Sequence, residues 1–332
     1  VQQVALGVLV FWPRGAGAEQ QAVFPDLEAS AVESIMIDDD AGEVVILARS
    51  DDGWVLPGAD SYPALETKVN DLLGSVLGIR IGDTVTSSES SQAALQVAED
   101  DFVRRITLVD DGGVENMLYI GSSPCYESTH YHLESHNDTH MAVDVNVNEL
   151  NARASDYVDA VYLRAPQEDL KALEIENAQG TMTFSKDEEG TWQFDGLGPG
   201  DVQDDTGLNS LISRAAAVNL TEPLGLTEDP AWGLDEPAAV VTYETAESTI
   251  TLTVGTQDPD DLSYVVKSSD SEYYVRVREY SVQTFVEAGP ETFILQPTPT
   301  PTVDPALLPS PTEEGEDTEA DTVETPEVEV SP

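Results

Sequence analysis

The sequence predicts an α+β protein of two tandem homologous domains, each an antiparallel sheet with one long helix packed on a face. Two observations lead to this prediction. The sequence nearly repeats itself after 138 or 139 residues, and each copy surrounds one segment of helical periodicity with several short alternating segments. A period of that length is the size of a whole domain rather than of a solenoid unit. The length of 332 residues agrees with two domains.

The two copies align without a gap from their first hairpin to a shared tryptophan, which is Trp54 in the first copy and Trp192 in the second. Ile46 then aligns with Phe184. Because the two tryptophans fill equivalent positions, we interpret them as core anchors rather than as platforms for a ligand.

Each copy begins with a strand, a turn at Gly42 or Gly180, a second strand, and a third strand that holds the tryptophan. A helix follows, because apolar residues recur at i, i+3, i+4, i+7 and i+8. These residues are Val69, Leu72, Leu73, Val76 and Leu77, which align with Leu208, Leu211, Ile212, Ala215 and Ala216. Asp204 or Asp205 is expected to cap the second helix.

The remainder of each copy is predicted to be β structure. In the first copy residues 105–109 pair with residues 117–120 across an Asp-Asp-Gly-Gly turn, and a second hairpin covers residues 126–145. Residues 118–121, Leu-Tyr-Ile-Gly, align with residues 252–255, Leu-Thr-Val-Gly. The sequence thus predicts a first repeat over 24–164 and a second over 165–296.

Both ends of the chain differ from these repeats. Residues 1–12 are apolar apart from two glutamines, and 12 residues of helix would span only about 18 Å of a hydrocarbon core about 30 Å thick. We therefore expect residues 1–23 to be part of an N-terminal membrane anchor and its linker; a signal-peptide remnant or a buried strand are the alternatives. Residues 297–332 are rich in Pro, Thr and Glu without a positive charge, which predicts a disordered acidic tail.

The charge balance excludes some classes of partner. The chain has 14 Lys and Arg against 64 Asp and Glu, a formal net charge of -50. Such a surface repels nucleic-acid phosphates, and it repels anionic lipid headgroups, so membrane attachment must be hydrophobic. A salt-adapted host would also select this acidity. Cys125 is the only cysteine, so an intrachain disulfide cannot form.

All four histidines lie within residues 130–140, in the second predicted hairpin. Strand alternation places His130 and His132 on the face opposite Tyr131. A hairpin loop centred on His136 would put His132 opposite His140, about 5 Å apart at Cβ. His130, His132 and His140 could then hold Zn, Cu or Ni.

A further metal ligand would come from Glu134 or Cys125. The alternative is a polar, solvent-facing hairpin that happens to use histidine. The second copy has no histidine in this stretch, so the fold does not need a metal. A register slip of one residue would also scatter the ligands onto both faces.

Other motifs point to structure rather than to chemistry. Asp38-Asp39-Asp40-Ala41-Gly42 resembles the start of a calcium loop, but Arg49 stands where the closing glutamate belongs. We interpret the segment as a hairpin turn. The sequence contains no phosphate loop, dinucleotide fingerprint or zincin helix, and we assign no catalytic residue and no cofactor.

The second copy contains Asp229-Pro230-Ala231-Trp232-Gly233-Leu234-Asp235-Glu236-Pro237, then a hairpin that ends in Val254-Gly255, then a tyrosine-rich strand from Tyr273 to Val277. This order resembles the bacterial family called domain of unknown function 4340, over residues 24–296. In the first copy Ala94-Leu95-Gln96-Val97-Ala98 stands at that position and lacks the glycine and the proline. The resemblance implies an envelope protein on an N-terminal anchor, associated with ABC-type export systems.

The expected function is therefore a non-enzymatic interaction or accessory module, anchored in the cell membrane with most of the chain on the extracytoplasmic side. Its partners would be the membrane and a membrane protein complex such as an ABC-type transporter. The alternative is a metal-binding protein that uses His130, His132 and His140. An enzyme would need converging acid, base or nucleophilic groups, and the sequence does not bring such groups together.

Overall fold

The computed structural model describes residues 21–123, 128–133, 138–143, 145 and 147–296. Two large antiparallel sheets dominate this part of the chain, and both belong to one compact unit that ends at Leu295. The predicted α+β class is confirmed.

The first sheet is built from residues 32–143 and has nine strands. A short hairpin, β6 with β7, lies outside it, and two helices accompany it: α1, Glu66–Leu77, and α2, Glu89–Ala94. The strands are β1 Val32–Asp39, β2 Val44–Ser50, β3 Gly53–Leu56, β4 Tyr62–Pro63, β5 Thr84–Thr86, β6 Val97–Ala98, β7 Asp101–Phe102, β8 Arg104–Asp110, β9 Glu115–Ile120, β10 Ser128–Leu133 and β11 Thr139–Val143. The order across the sheet is β4-β3-β2-β1-β8-β9-β10-β11-β5.

The second sheet is built from residues 170–277 and has eight strands. Its helices are α3, Asp205–Ala215, and α4, Glu279–Glu287. The strands of this part of the chain are β12 Val161–Arg164, β13 Leu170–Asn177, β14 Gly180–Lys186, β15 Trp192–Phe194, β16 Ala217–Asn219, β17 Glu222–Gly225, β18 Ala239–Thr245, β19 Thr249–Gln257, β20 Tyr264–Ser268 and β21 Tyr274–Val277. The order is β15-β14-β13-β18-β19-β20-β21-β17, and β12 pairs separately with β16.

The two sheets have the same strand order, apart from the additional edge strand β4 of the first. In each, three strands form a meander, the chain crosses by a helix to the far edge, and four further strands run back from the centre to that edge. The registers agree as well: Ile35 lies opposite Leu108 as Leu173 lies opposite Tyr243. We call two residues matched when they hold the same place in this order and register.

Matching by register corrects the sequence alignment in the second strand. Leu47, not Ile46, is matched with Phe184, because Leu47 pairs with Ile35 as Phe184 pairs with Leu173. The physical reason is that the first hairpin of the first sheet has one more residue in its turn than that of the second. The prediction that this segment aligns without a gap is therefore wrong, and Ile46 points to the opposite face of its sheet from Phe184.

Four of the five residues predicted for each helical stripe are buried. Val69, Leu72, Leu73 and Val76 on α1, and Leu208, Leu211, Ile212 and Ala215 on α3, join one hydrophobic core with the inner faces of both sheets. Leu77 and Ala216, at the ends of the stripes, are half-buried. Asp204 caps α3 as predicted, since its carboxylate accepts a hydrogen bond from the Thr206 amide. Helix α2 buries none of its residues, and α4 buries Val282 and Phe285; neither helix was expected from the sequence.

Trp54 and Trp192 have the same surroundings in the two sheets. Each lies on the third strand with its side chain in the core, 2% and 8% exposed. Each also pairs across the sheet with a cation, Arg49 and Lys186, whose charged group lies 4.6 Å and 5.2 Å from the indole centroid. The prediction that both are core anchors is confirmed.

The sheets contact each other through the edge of the first. The Tyr62 and Tyr273 rings pack edge to face with centroids 4.7 Å apart. The Asp60 carboxylate accepts a hydrogen bond of 2.8 Å from the Leu226 amide. Asp60 and Ser61 both have positive φ, a strained conformation for residues other than glycine. These contacts hold the loop before α1 against strand β17.

Candidate functional site

The histidine hairpin consists of β10 and β11, which pair directly. His130 lies opposite Met141, Tyr131 opposite His140, and His132 opposite Thr139. The predicted pairing of His132 with His140 is therefore wrong by one residue. Because side chains alternate between the faces of a sheet, His140 lies on the core face with Tyr131, whereas His130 and His132 lie on the outer face.

His140 lies on the core face because its imidazole ring packs against an aromatic neighbour. It stacks on Tyr131 at a centroid distance of 5.6 Å, and its Nδ1 lies 3.1 Å from the Gly82 carbonyl oxygen. A carbonyl only accepts hydrogen bonds, so Nδ1 of His140 carries the proton. Apolar alternation did not reveal this arrangement, since Ala142 rather than Met141 joins the core.

His130 and His132 are also held by backbone carbonyls. Nδ1 of His130 lies 2.8 Å from the Ser122 carbonyl oxygen, and the residue is only 8% exposed. Nδ1 of His132 lies 3.3 Å from the Asp138 carbonyl oxygen and 3.3 Å from Nε2 of Gln92, and its ring stacks on Tyr119. His130 is buried, so the alternative prediction of a polar, solvent-facing hairpin is wrong at this residue.

The structure brings two of the three predicted ligands to one face and leaves the third on the other. Among the described residues, no group of three or more His, Cys, Asp or Glu side chains could hold a metal ion. Cys125 and Glu134, the proposed further ligands, lie outside the described residues.

The matched residues of the second sheet carry different chemistry. Val265, Lys267 and Val275 are matched with His130, His132 and His140. The Lys267 ammonium donates hydrogen bonds to the carbonyl oxygens of Ser268 and Ser271 and lies 5.3 Å from the Tyr274 centroid. Burial lowers the pKa of Lys267. The two hairpins therefore share their register but not their polar groups.

A second element is shared closely, although the sequence suggested that it was lost in the first copy. Gly233 has a φ of 68°, and Gln96, which lies between helix α2 and strand β6, has a φ of 55°. The residue before each, Trp232 or Leu95, presents its carbonyl oxygen to a glycine: Gly255 within β19, or Gly121 directly after β9. A Cβ on Gly255 or Gly121 would lie 2.1 Å from that oxygen.

The left-handed turn of the family motif is thus kept without its glycine. The sequence does contain a signal for this turn. The aligned Leu-x-x-Gly segments end in Gly121 and Gly255, two positions at which glycine avoids a side chain.

An open cavity of about 420 Å³ lies beside this turn in the second sheet. It is bordered by Trp232, Thr256, Gln257, Asp258, Ser263 and Arg276 among others. The Arg276 guanidinium lies 2.8 Å from Ser263 Oγ, 3.3 Å from Asp258 Oδ2 and 3.4 Å from Glu222 Oε2. Because three acceptors already surround this cation, the cavity offers hydrogen-bonding and aromatic contacts rather than a free charge. In the first sheet, the residue matched with Arg276 is Met141.

The aspartate-rich segment before Gly42 is a hairpin turn, as predicted. Asp39 Oδ1 accepts hydrogen bonds from the amides of Ala41 and Glu43, both at 2.9 Å. Asp110 repeats the arrangement with the amides of Gly112 and Val114 in the β8–β9 turn. These carboxylates stabilise turns.

Among the residues between 21 and 296 that the structure describes, no helix is both long and apolar enough to cross a membrane. Residues 1–20, which contain the predicted anchor, lie outside the described residues.

Comparison with known proteins gives one family. A family model described as domain of unknown function (DUF4340) matches residues 54–229. The match starts on β3 of the first sheet and ends at Asp229, so it includes parts of both predicted repeats and only the first residue of the motif around Trp232. Neither the curated proteins nor the solved structures contain a match.

Proposed function

The chain belongs to the DUF4340 family, and from this premise we propose that it is a non-enzymatic interaction or accessory module of the cell envelope. An N-terminal anchor within residues 1–23 would hold it in the cell membrane, with the two sheets on the extracytoplasmic side. The apolar run of residues 1–12 and the linker after it support this location.

We also propose that the two sheets are tandem copies of one domain, over residues 24–164 and 165–296. Their common strand order supports this, as do the matched pairs of Trp54 with Arg49 and Trp192 with Lys186. The contact of Gly121 with Leu95 and of Gly255 with Trp232 gives independent support.

The observation that carries the proposal is the contrast between a repeated scaffold and divergent polar groups at matched positions. His132 and Lys267 occupy one place in the two hairpins, and each is engaged with backbone carbonyls of its own sheet. A catalytic site would need converging acid, base or nucleophilic groups, either at matched positions of both sheets or as a separate set in one sheet. A scaffold that is repeated while its outward residues change is instead suited to presenting binding surfaces.

An ABC-type export system is the partner that the family resemblance suggests. The charge of the chain supports a protein partner rather than a nucleic acid or an anionic lipid surface, because -50 charges repel both phosphate backbones and acidic headgroups.

Location and partnership can be tested in the native cell. The full chain would carry a photo-crosslinking residue at one exposed position of either sheet, and membranes would be isolated after irradiation. We expect the protein in the membrane fraction, released by detergent but not by high salt, and digested by protease added outside the cytoplasmic membrane. Recovery of the protein as a soluble cytoplasmic species without any crosslinked membrane protein would contradict the proposal.

The metal-binding alternative requires His130, His132 and His140 to lie on one face of the hairpin, but the strand register places His140 on the opposite face. The metal content of the chain purified at neutral pH tests it, together with the variant His130→Ala/His132→Ala. We expect no stoichiometric transition metal in either protein. One equivalent of zinc, copper or nickel in the native chain that the variant lacks would reverse this choice.

A further inference from the structure

The outer face of the first sheet exposes large apolar side chains. Val44 and Ile46 on β2 are 51% and 44% exposed. Ile46 lies opposite Met36 on β1, and Met36 lies opposite Thr107 on β8, which in turn faces Met117 on β9. We call Val44, Ile46, Met36 and Met117 the apolar outer patch. Its residues lie on β1, β2 and β9, and Thr107 on β8 lies between the two methionines.

A buried hydroxyl lies in the middle of this patch. Thr107 sits between Met36 and Met117, is 4% exposed, and its Oγ1 has no hydrogen-bond partner. An unpaired buried hydroxyl is unfavourable by about 1–3 kcal/mol. The methionines on either side are flexible side chains that can move and uncover it. A partner that displaced them could therefore provide the missing hydrogen bond.

The second sheet shows that the fold does not require these apolar residues. The matched residues of Val44, Ile46, Met36 and Met117 are Thr181, Thr183, Glu174 and Thr251. Threonine forms strands as readily as valine or isoleucine, so strand formation does not explain the difference. An exposed apolar surface on one of two like-folded sheets is typical of a binding site.

The charges around the patch indicate the chemistry of the partner. Acidic residues crowd the end of the sheet where β2 and β8 finish, in the exposed turns at Asp51, Asp52, Asp110 and Asp111 and at Glu115. At the other end, Asp38 is paired with Arg105. Between residues 24 and 164 the sequence has 27 Asp and Glu against one lysine and six arginines. The patch thus has an apolar centre and an acidic rim, the pattern of a protein interface with charge selectivity.

We propose that the apolar outer patch docks a segment of a partner protein that carries apolar side chains flanked by lysine or arginine. The proposal rests on the proposed function as an interaction module and names the surface and the chemistry of that interaction. A second copy of this chain is disfavoured as the occupant, because two acidic rims and two net charges of -50 would repel each other.

The first test uses a synthetic amphipathic helical peptide with leucine on one face and lysine on the other, titrated against the full chain. The test variant is Val44→Thr/Ile46→Thr, which introduces the residues that the second sheet has at the matched positions. We expect it to bind the peptide about 10-fold more weakly, a loss of about 1.4 kcal/mol. Thr181→Ser/Thr183→Ser on the second sheet is the control and should bind like the native chain.

The roles of charge and of self-association are tested separately. The same peptide with glutamate in place of lysine should not bind, and Ile46→Lys should weaken the lysine peptide through repulsion at an exposed position that leaves the core intact. Equal binding by native chain and patch variants, or equal binding of the glutamate peptide, would overturn the proposal. A native dimer in analytical ultracentrifugation that Ile46→Lys dissociates would also overturn it, because the occupant would then be a second copy.

Crosslinking distinguishes the failure of this inference from that of the proposed function. A photo-crosslinking residue would replace Ile46 in one variant and Thr183 in another, in native membranes. Crosslinks to a membrane protein from position 183 and none from position 46 would contradict the patch and leave the interaction module standing. Crosslinks from position 46 to a partner segment rich in lysine or arginine, with none from position 183, would support the patch.

Discussion

The inner and outer faces of the two sheets differ in what they share. On the inner faces, most matched residues are apolar in both sheets, as with Ile35 and Leu173, although His140 is matched with Val275; the tryptophan and cation pairs are repeated. On the outer faces, Ile46 is matched with Thr183 and His132 with Lys267. The inner face determines the fold, and the outer face distinguishes the two sheets. Function specific to one sheet should therefore be sought on its outer face.

The largest effect that tests this comparison should come from the tryptophans. Trp54→Ala and Trp192→Ala should each reduce the free energy of unfolding by about 3–5 kcal/mol, because each leaves a large cavity beneath a cation. Trp192→Ala should be the milder change, since Trp192 is more exposed. Denaturant unfolding measures both. A loss below about 1 kcal/mol at either site would show that the two positions are not equivalent core anchors.

The glycines at the end of β9 and within β19 should give the next largest effect. Gly121→Ala and Gly255→Ala would each place a Cβ 2.1 Å from a backbone carbonyl oxygen, and we expect each to destabilise by about 1–3 kcal/mol. Gly74→Ala on α1 is the control, because nothing outside the neighbouring backbone of its own helix lies within 4 Å of the added carbon. It should stabilise by about 0.5–1 kcal/mol. Thermal unfolding of the three variants decides whether the contact is the same in both copies.

Gln96 and Gly233 both have a left-handed backbone conformation, and substitutions at the two positions should change stability in opposite directions. Gln96→Gly removes strain of about 1–2 kcal/mol but adds about 0.5–1 kcal/mol of unfolded-state entropy, so we expect a small gain. Gly233→Ala introduces that strain and a Cβ 2.6 Å from Thr256 Cγ2, so we expect a loss of about 1–2 kcal/mol. Equilibrium unfolding in urea provides the comparison. Losses in both variants would mean that the Gln96 side chain has a role of its own.

The smallest effect concerns alkaline pH and a tyrosine of the first sheet that has no titratable counterpart in the second. Burial raises the pKa of Tyr131 to about 12, and its matched residue, Val266, cannot titrate. Below pH 10 the tyrosine is protonated in both folded and unfolded chains, so its contribution is present in full. Between pH 10 and 12 the unfolded chain loses this proton first, so stability falls as the pH rises.

Tyr131→Phe should therefore make the fall in unfolding free energy between pH 10 and 12 less steep, with the value at pH 7 as the reference. Part of the fall should persist, because burial also raises the pKa of Tyr62 to about 12 and raises the pKa of Tyr243 in the second sheet. An unchanged slope in the variant would contradict the assignment of this component to Tyr131.

Much of the fold could be predicted from periodicity. The i, i+3, i+4 stripe of α1 and the glycine turns were sufficient for helix, strands and sheet class, because burial of a continuous apolar face dominates the energy of each element. Helix α2, Glu89–Ala94, was not predicted, because its six residues bury no side chain and therefore show no apolar periodicity. The candidate metal site failed for a different reason. Pairing register depends on contacts beyond the strand, and His140 packs on Tyr131 and Gly82 in a way that apolar alternation does not encode.

The near-repetition of residues, the acidic charge and the tryptophan anchors could be recognised from the sequence alone, since each depends on residue type and spacing. Which residues face outward was decided by the tertiary structure. One additional residue in the first hairpin turn moves Ile46 away from the place of Phe184 and onto the outer face, together with Val44. Because side chains alternate with a period of two, a shift of a single residue exchanges core for surface, and only the pairing with neighbouring strands fixes that choice.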